Sequence, residues 1–164
     1  MPDVGVPVVA DAQAQAVALV ARLLLRLERA RLPRRSSRVL VLGDGDNPVV
    51  GDLVVDSGIG EVVRWNAEDA TGYSLPALAR RVDVVLDVGG SAEHRRAAMA
   101  MILPPALITL QDTGSVVAAA ADLLGGALAA DPPRVTRELL AHSAQRLASL
   151  APAGSALPEV RGGI

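Results

Sequence analysis

Apolar residues along this chain follow two spacings, one typical of amphipathic helices and the other typical of buried strands. Residues 10–31 are predicted to form a first helix, because their large apolar side chains recur every three or four positions. Similar helical patterns cover residues 48–58, 74–81, 92–102, 115–130 and 135–150. Short apolar runs between them predict strands at residues 39–42, 61–65, 82–88 and 106–110.

The alternation of strands and helices predicts an α/β fold. The run at residues 39–42 is apolar at every position, as expected when helices cover both faces of a parallel sheet. We therefore expect a Rossmann-like, doubly wound and mostly parallel sheet of about four to five strands, with flanking N- and C-terminal helices. Residues 1–150 are predicted to form a single domain. Residues 151–164, in which Pro, Gly and Ser are frequent, are predicted to form a disordered tail.

Composition narrows the class of protein. The 164 residues suffice for one domain with a core, the net charge is −2, and the chain contains no cysteine. No run of about eighteen apolar residues is free of charge, and residues 1–9 lack the basic stretch of a secretory signal. We expect a cytoplasmic protein whose partners include neither nucleic acid nor a membrane. The absence of lysine excludes a Walker-type phosphate lysine and a Schiff-base lysine.

The first predicted strand runs into a glycine-rich turn with the sequence Gly43-Asp44-Gly45-Asp46-Asn47-Pro48. Gly43 and Gly45 occupy the first two positions of a dinucleotide-binding turn, in which the backbone approaches a phosphate at a helix N-terminus. Pro48 suits the first turn of that helix, and Asp46 or Asn47 can cap it. The turn therefore predicts both the architecture and a ligand.

Other features of the turn leave two interpretations open. Pro48 stands at the third glycine position, so Gly51 would have to supply the close packing of helix and strand. Asp44 and Asp46 place two carboxylates where a phosphate would lie, and they would repel it unless a cation intervened. The turn is either a nucleotide-binding turn or a sharp strand-to-helix turn without a ligand. Neighbouring carboxylates alone are weak evidence for Mg²⁺, and we predict no metal site.

Further candidate residues follow the second and third predicted strands. Asn66 lies near the position at which an acidic residue, about 20 residues after the turn, binds the ribose in dinucleotide-binding domains. Gly89 and Gly90 follow the third strand, where open parallel sheets bind their ligands. We interpret Asp87 as a helix cap or an arginine partner, and His94 as part of a solvated helix face. No side chains show the spacing of a catalytic or metal-ligating cluster.

The order of these segments resembles the NAD(P)-binding domain of the malic-enzyme and amino-acid-dehydrogenase-like oxidoreductases. The resemblance covers residues 10–112 and rests on residues 38–45, 60–65, 82–90 and 104–110. It implies that Gly43 and Gly45 contact the pyrophosphate of NAD or NADP. It also implies that Asn66 faces the ribose and that Gly89 lies near the nicotinamide. Such dehydrogenases carry their catalytic groups on a separate domain, for which this chain offers too few residues.

We accordingly expect a small nucleotide-binding domain without a complete catalytic site, acting as a homo-oligomer or with a separate catalytic partner. The predicted cofactor-binding residues, from the turn and the ends of the second and third strands, are Gly43, Asp44, Gly45, Asp46, Asn47, Asn66, Gly89 and Gly90. One alternative is a non-catalytic interaction protein that has lost its ligand and dimerises through helices 10–31 and 135–150. Another is a methyltransferase-like domain, because the cationic end of S-adenosylmethionine tolerates acidic residues.

Overall fold

A computed structural model of the chain describes residues 6–110 and 113–151. Its helices are α1 (Asp11–Arg29), α2 (Pro48–Asp56), α3 (Leu75–Ala79), α4 (Ala92–Met99), α5 (Thr113–Ala129) and α6 (Arg137–Leu150). Its strands are β1 (Arg38–Leu42), β2 (Glu61–Trp65), β3 (Val84–Asp87) and β4 (Ala106–Thr109). The predicted disordered tail lies outside the described residues, apart from Ala151.

The four strands form one parallel sheet in the order β2-β1-β3-β4. In the centre of the sheet, Val41 of β1 lies opposite Arg64 of β2 and Leu86 of β3. This order places β1 and β3 side by side, although α2 and β2 separate them in the chain. The structure thus confirms an α/β fold with a parallel four-stranded sheet, and it is compatible with a Rossmann-like domain.

Helices cover both faces of the sheet because the side chains of each strand alternate between the two sides. Val39 and Val41 of β1 belong to a core shared with α1, α2, α5 and α6. Leu40 and Leu42 point to the other face, where they pack with Trp65 and with residues of α3 and α4. All four of these β1 residues are fully buried. The result is three layers, with the glycine turn at the carboxyl ends of the strands.

The predicted elements all form, and the differences lie at their ends. The third strand begins at Val84 rather than at Val82, because the Val82 N–H still bonds to the Ala79 carbonyl at the end of α3. Helix α4 ends at Met99, three residues before the predicted end at Ile102. Apolar periodicity detects such elements well, but backbone hydrogen bonding sets their ends.

The predicted dimer face on the two terminal helices is wrong. Helix α1 packs against α2, α5 and α6, and its apolar stripe is buried within the chain. Leu140 and Leu147 of α6 belong to the same core. The two amphipathic stripes therefore cover each other, as expected when each offers the apolar surface that the other needs. None of the helices within the described residues is long and apolar enough to cross a membrane.

Candidate functional site

Three loops meet at the carboxyl ends of the central strands. Gly43 follows β1, Asn66 follows β2, and Gly89 follows β3. After β1 the chain passes to α2 on one face of the sheet, whereas after β3 it passes to α4 on the other face. This divergence creates a crevice between neighbouring strands, which is where open parallel α/β sheets bind their ligands.

Gly43 allows two of these loops to touch backbone to backbone. Its φ of +78° lies in the left-handed region, which favours glycine. A Cβ at this position would lie 2.8 Å from the Gly89 carbonyl carbon and 2.9 Å from the Gly90 nitrogen. The first glycine of the turn is therefore required by its conformation and by its neighbours, independently of any ligand.

Asn66 ties the end of β2 to the glycine turn. Its Oδ1 accepts a hydrogen bond of 2.7 Å from the Gly45 N–H, and its own N–H donates to Asp69 Oδ2 at 2.8 Å. The Asn66 Nδ2 group makes no hydrogen bond to the described residues. This side chain therefore orders the turn and still has a donor available at the crevice.

The crevice forms a pocket of about 360 Å³. Its lining, drawn from the loops after β1, β2 and β3 and the start of α4, comprises Gly43, Gly45, Asp46, Trp65, Asn66, Ala67, Glu68, Gly89, Gly90, Ser91 and His94. Of the eight residues predicted from the sequence, six line the pocket, namely Gly43, Gly45, Asp46, Asn66, Gly89 and Gly90. The other two, Asp44 and Asn47, are directed elsewhere.

Asp44 turns away from the pocket and lies beneath α2. Its side chain is only 10% exposed, and its Oδ2 lies 3.6 Å from Arg64 Nη1. Gly51 makes room for this pair, since a Cβ there would collide with Asp44 Oδ1 and the Arg64 guanidinium. Arg64 also bonds to Asp52 at 2.7 Å. The expected repulsion between Asp44 and a phosphate in the pocket is thus removed by direction and by an ion pair.

Burial raises the pKa of the Asp44 carboxyl above its ordinary value of 3.8, although the charge of Arg64 opposes the rise. In addition, Oδ1 is buried without a hydrogen-bond partner. Because the folded state binds the Asp44 proton more tightly than the unfolded state does, ionised Asp44 destabilises the fold above its folded-state pKa. That penalty decreases as the pH falls and is absent below the ordinary value.

Asp44→Asn is accordingly expected to raise the free energy of unfolding at pH 7 by about 1 kcal/mol, since it removes a buried charge. The advantage over wild type should shrink as the pH falls through the carboxyl range. Urea unfolding measured between pH 7 and pH 3 tests this. A constant difference at every pH would contradict it, and Asp52→Asn serves as the exposed control on the same arginine.

Asn47 connects the turn to α1 instead of the pocket. It is one of the two residues, with Asp46, that were predicted to cap α2, and it holds the N-cap position, but its side chain makes no capping hydrogen bond. Its Nδ2 donates to the Ala12 carbonyl at 2.9 Å. Asn47 thus joins the turn to the first turn of α1, a contact between residues that are 35 positions apart.

Two aromatic rings that were not among the predicted site residues form one wall of the pocket. Trp65 and His94 lie edge to face, with 4.8 Å between ring centroids. Trp65 is buried, and its Nε1–H donates to the Tyr73 carbonyl at 3.3 Å. The interpretation of His94 as part of a solvated face was wrong. Trp65 is the last residue of β2, and His94 follows the Gly89-Gly90 turn after β3. Both residues therefore lie near the carboxyl ends of strands, which is the signal that could have identified them from the sequence.

The charged side chains that line the pocket are acidic. Asp46 lies directly over Gly89, where a Cβ would overlap its carboxylate, and Glu68 lines the same pocket. No arginine among the described residues lines it, and Arg95 instead bonds to Asp87 at 2.9 Å. Asp87 therefore serves as an arginine partner, as interpreted from the sequence. Its other oxygen accepts a hydrogen bond from the Gly90 N–H. Among the described residues, no three His, Cys, Asp or Glu side chains are grouped to hold a metal ion.

Comparison with family models, curated proteins and solved structures found no match to this chain. Any function of the pocket is therefore inferred from its geometry and from the chemistry of the side chains around it.

Proposed function

We propose that this chain is a nucleotide-binding domain and that its pocket receives the nucleoside part of NAD, NADP or a related ligand. The observation that carries the proposal is the meeting of two glycine loops at the carboxyl edge of the sheet. There Gly43 lies against the backbone of Gly89 and Gly90, and the glycines of both loops line the pocket. A pocket lined by glycine loops at a point where chain connections diverge suits the approach of a nucleotide.

The pocket supplies the groups that a nucleoside needs. Trp65 and His94 offer an aromatic wall for a base or a sugar face. The free Asn66 Nδ2 donor and the Glu68 carboxylate suit ribose hydroxyls, which both donate and accept hydrogen bonds. The volume of about 360 Å³ is near the lower end for ligand pockets. It is therefore suited to one nucleoside, with the remainder of a dinucleotide extending outward.

The chemistry, in this proposal, comes from a partner. The pocket includes Ser91 and His94, but the Ser91 hydroxyl accepts the His94 backbone N–H as the cap of α4. A capping serine is positioned for the helix rather than for attack on a substrate. The domain then positions a cofactor whose reactive end is presented to catalytic groups on a separate partner.

A second candidate ligand is S-adenosylmethionine, and the acidic lining favours it. Asp46 and Glu68 would attract a sulfonium centre, whereas they would repel a pyrophosphate. A non-catalytic interaction protein that has lost its ligand is the third candidate. Ligand titration separates the three.

Trp65 is the only tryptophan of the chain and lies in the pocket wall, so its fluorescence reports on the proposed site. We expect NAD⁺ or NADP⁺ to change this emission in a saturable way, with matching heat in calorimetry. S-adenosylmethionine binding in place of both would select the second candidate. If none of the three binds up to millimolar concentration, the nucleotide proposal is wrong and the interaction protein remains.

Asp46→Asn tests the charge of the site. Removing a carboxylate beside a phosphate is worth about 1 kcal/mol at 4 Å in water, so NAD⁺ affinity should rise about fivefold. Affinity for S-adenosylmethionine should fall by a similar factor. Glu61→Gln makes the same change of charge at the opposite end of β2 and should leave both affinities unchanged. Equal effects from the two variants would contradict a ligand beside Asp46.

A further inference from the structure

His94 is the side chain of the pocket that can carry a positive charge. Among the described residues that line the pocket, Asp46 and Glu68 are acidic, and all the others except His94 are neutral. Histidine is the side chain that ordinarily changes charge between about pH 5 and pH 8. The net charge of the lining therefore depends on whether His94 is protonated.

The fold presents this imidazole with both of its ring nitrogens available. The backbone N–H of His94 donates to the Ser91 hydroxyl at 3.1 Å, and the ring packs against Trp65 with 4.8 Å between centroids. Neither ring nitrogen makes a hydrogen bond or an ion pair with a described residue. The ring is thus positioned by its helix and by Trp65, while its nitrogens can bond to a ligand.

The arginines of the adjoining segments have other partners. Arg64 of β2 pairs with Asp44 and Asp52, and Arg95 of α4 bonds to Asp87. A phosphate in the pocket would therefore meet two carboxylates and no arginine among the described residues that line it. The imidazole is the group of this lining that can offset the repulsion.

The charges that surround the imidazole come from few elements. Asp46, from the loop after β1, and Glu68, from the loop after β2, line the same pocket. On α4 itself, Glu93 and Arg95 flank His94 in the sequence. Helix α3, which packs against α4, has no charged residue. Neutral His94 leaves the lining with two carboxylate charges, whereas protonated His94 offsets one of them and can donate from both nitrogens.

We propose that protonated His94 binds a phosphate group of the nucleotide, so that the pocket selects phosphate-bearing ligands and holds them more tightly as the pH falls. This inference rests on the proposed nucleotide-binding function. A hydrogen bond from an imidazolium to a phosphate oxygen is roughly twice as strong as one between neutral groups. Since the ligand then favours the protonated form, binding must in turn favour protonation of His94.

Calorimetric titration of the full chain with NAD⁺ between about pH 5.5 and pH 8 tests this proposal. The pyrophosphate of NAD⁺ keeps its charge over this range, so a change in affinity reports on the protein. We expect the affinity to be about tenfold higher at the lower pH. Adenosine, which has no phosphate, should bind with the same affinity at both pH values.

Two substitutions separate the charge of His94 from its packing against Trp65. His94→Gln keeps a hydrogen-bonding side chain without the charge, so it should weaken NAD⁺ binding at the lower pH about tenfold and remove the pH dependence. His94→Arg makes the charge permanent, so it should give tight binding at both pH values. A role of His94 in packing alone would not produce this rescue.

His142→Gln is the matched control, because His142 is the other histidine of the chain and is exposed on α6. It should keep the wild-type pH profile. NAD⁺ binding that is equally tight at both pH values overturns the role of His94 and leaves the nucleotide proposal standing. A pH dependence that survives in His94→Gln, or that adenosine shows to the same extent, does the same. Absence of NAD⁺ binding at every pH overturns both proposals, and circular dichroism confirms that each variant is folded.

Discussion

Gly43→Ala is expected to lower the free energy of unfolding by about 3 kcal/mol or more. A left-handed backbone costs a residue with a side chain about 1–2 kcal/mol. At Gly43 the new methyl group would also press against Gly89 and Gly90 at 2.8–2.9 Å, distances that real side chains essentially never show. Because these neighbours are backbone atoms, they can move only if the two loops separate, which adds a further cost.

Gly58→Ala is the control that separates strain from collision. Gly58 has a similar φ of +83°, but a Cβ there meets nothing within 4 Å. It should therefore cost only about 1–2 kcal/mol. Urea unfolding of both variants, followed by Trp65 emission and circular dichroism, provides the comparison. Equal losses would show that the approach of the two glycine loops is looser than the structure indicates.

Trp65→Ala is expected to lower the free energy of unfolding by about 3–5 kcal/mol, the usual cost of removing a large buried aromatic side chain. Trp65 is 3% exposed and packs with Leu42 and Leu75 in the core on the α3–α4 face. The truncation would also remove the ring against which His94 packs. Any ligand affinity of the pocket should fall with it.

Trp65→Phe keeps a smaller ring beside His94 and loses the rest of the indole together with the N–H that donates to the Tyr73 carbonyl. It should cost clearly less than Trp65→Ala, and both variants can be compared by circular dichroism melting and by calorimetric titration. If the two substitutions were equally destabilising, a retained ring at position 65 would contribute nothing to the core on the α3–α4 face.

Most of the pocket could be predicted from residues that lie at strand ends. Gly43, Asn66 and Gly89 each follow a predicted strand, and parallel strands bring their carboxyl ends to one edge of the sheet. His94 was misjudged because a helical residue next to charged neighbours has a polar local pattern. Its contact with Trp65 depends on how α4 packs across the sheet, which no local spacing encodes.

The two aspartates of the turn also show what sequence patterns cannot predict, namely the direction of each side chain. Asp44 and Asp46 lie two residues apart in a single 3-10 turn, in which such residues point in different directions. Asp46 lies over Gly89 in the pocket, whereas Asp44 is buried beside Arg64. Composition alone assigns both the same repulsive effect on a phosphate. Only the structure shows that one of them has a cationic partner and is directed away.

The sequence by itself determined the order and type of the elements and the location of the pocket at the glycine turn. It could do so because apolar periodicity and the conformational freedom of glycine are local properties of the chain. The tertiary structure decided which apolar faces are covered, burying the stripes of α1 and α6 and leaving one side of α5 exposed. It also decided where each carboxylate of the turn points. These outcomes depend on packing between residues far apart in the chain, which local patterns do not specify.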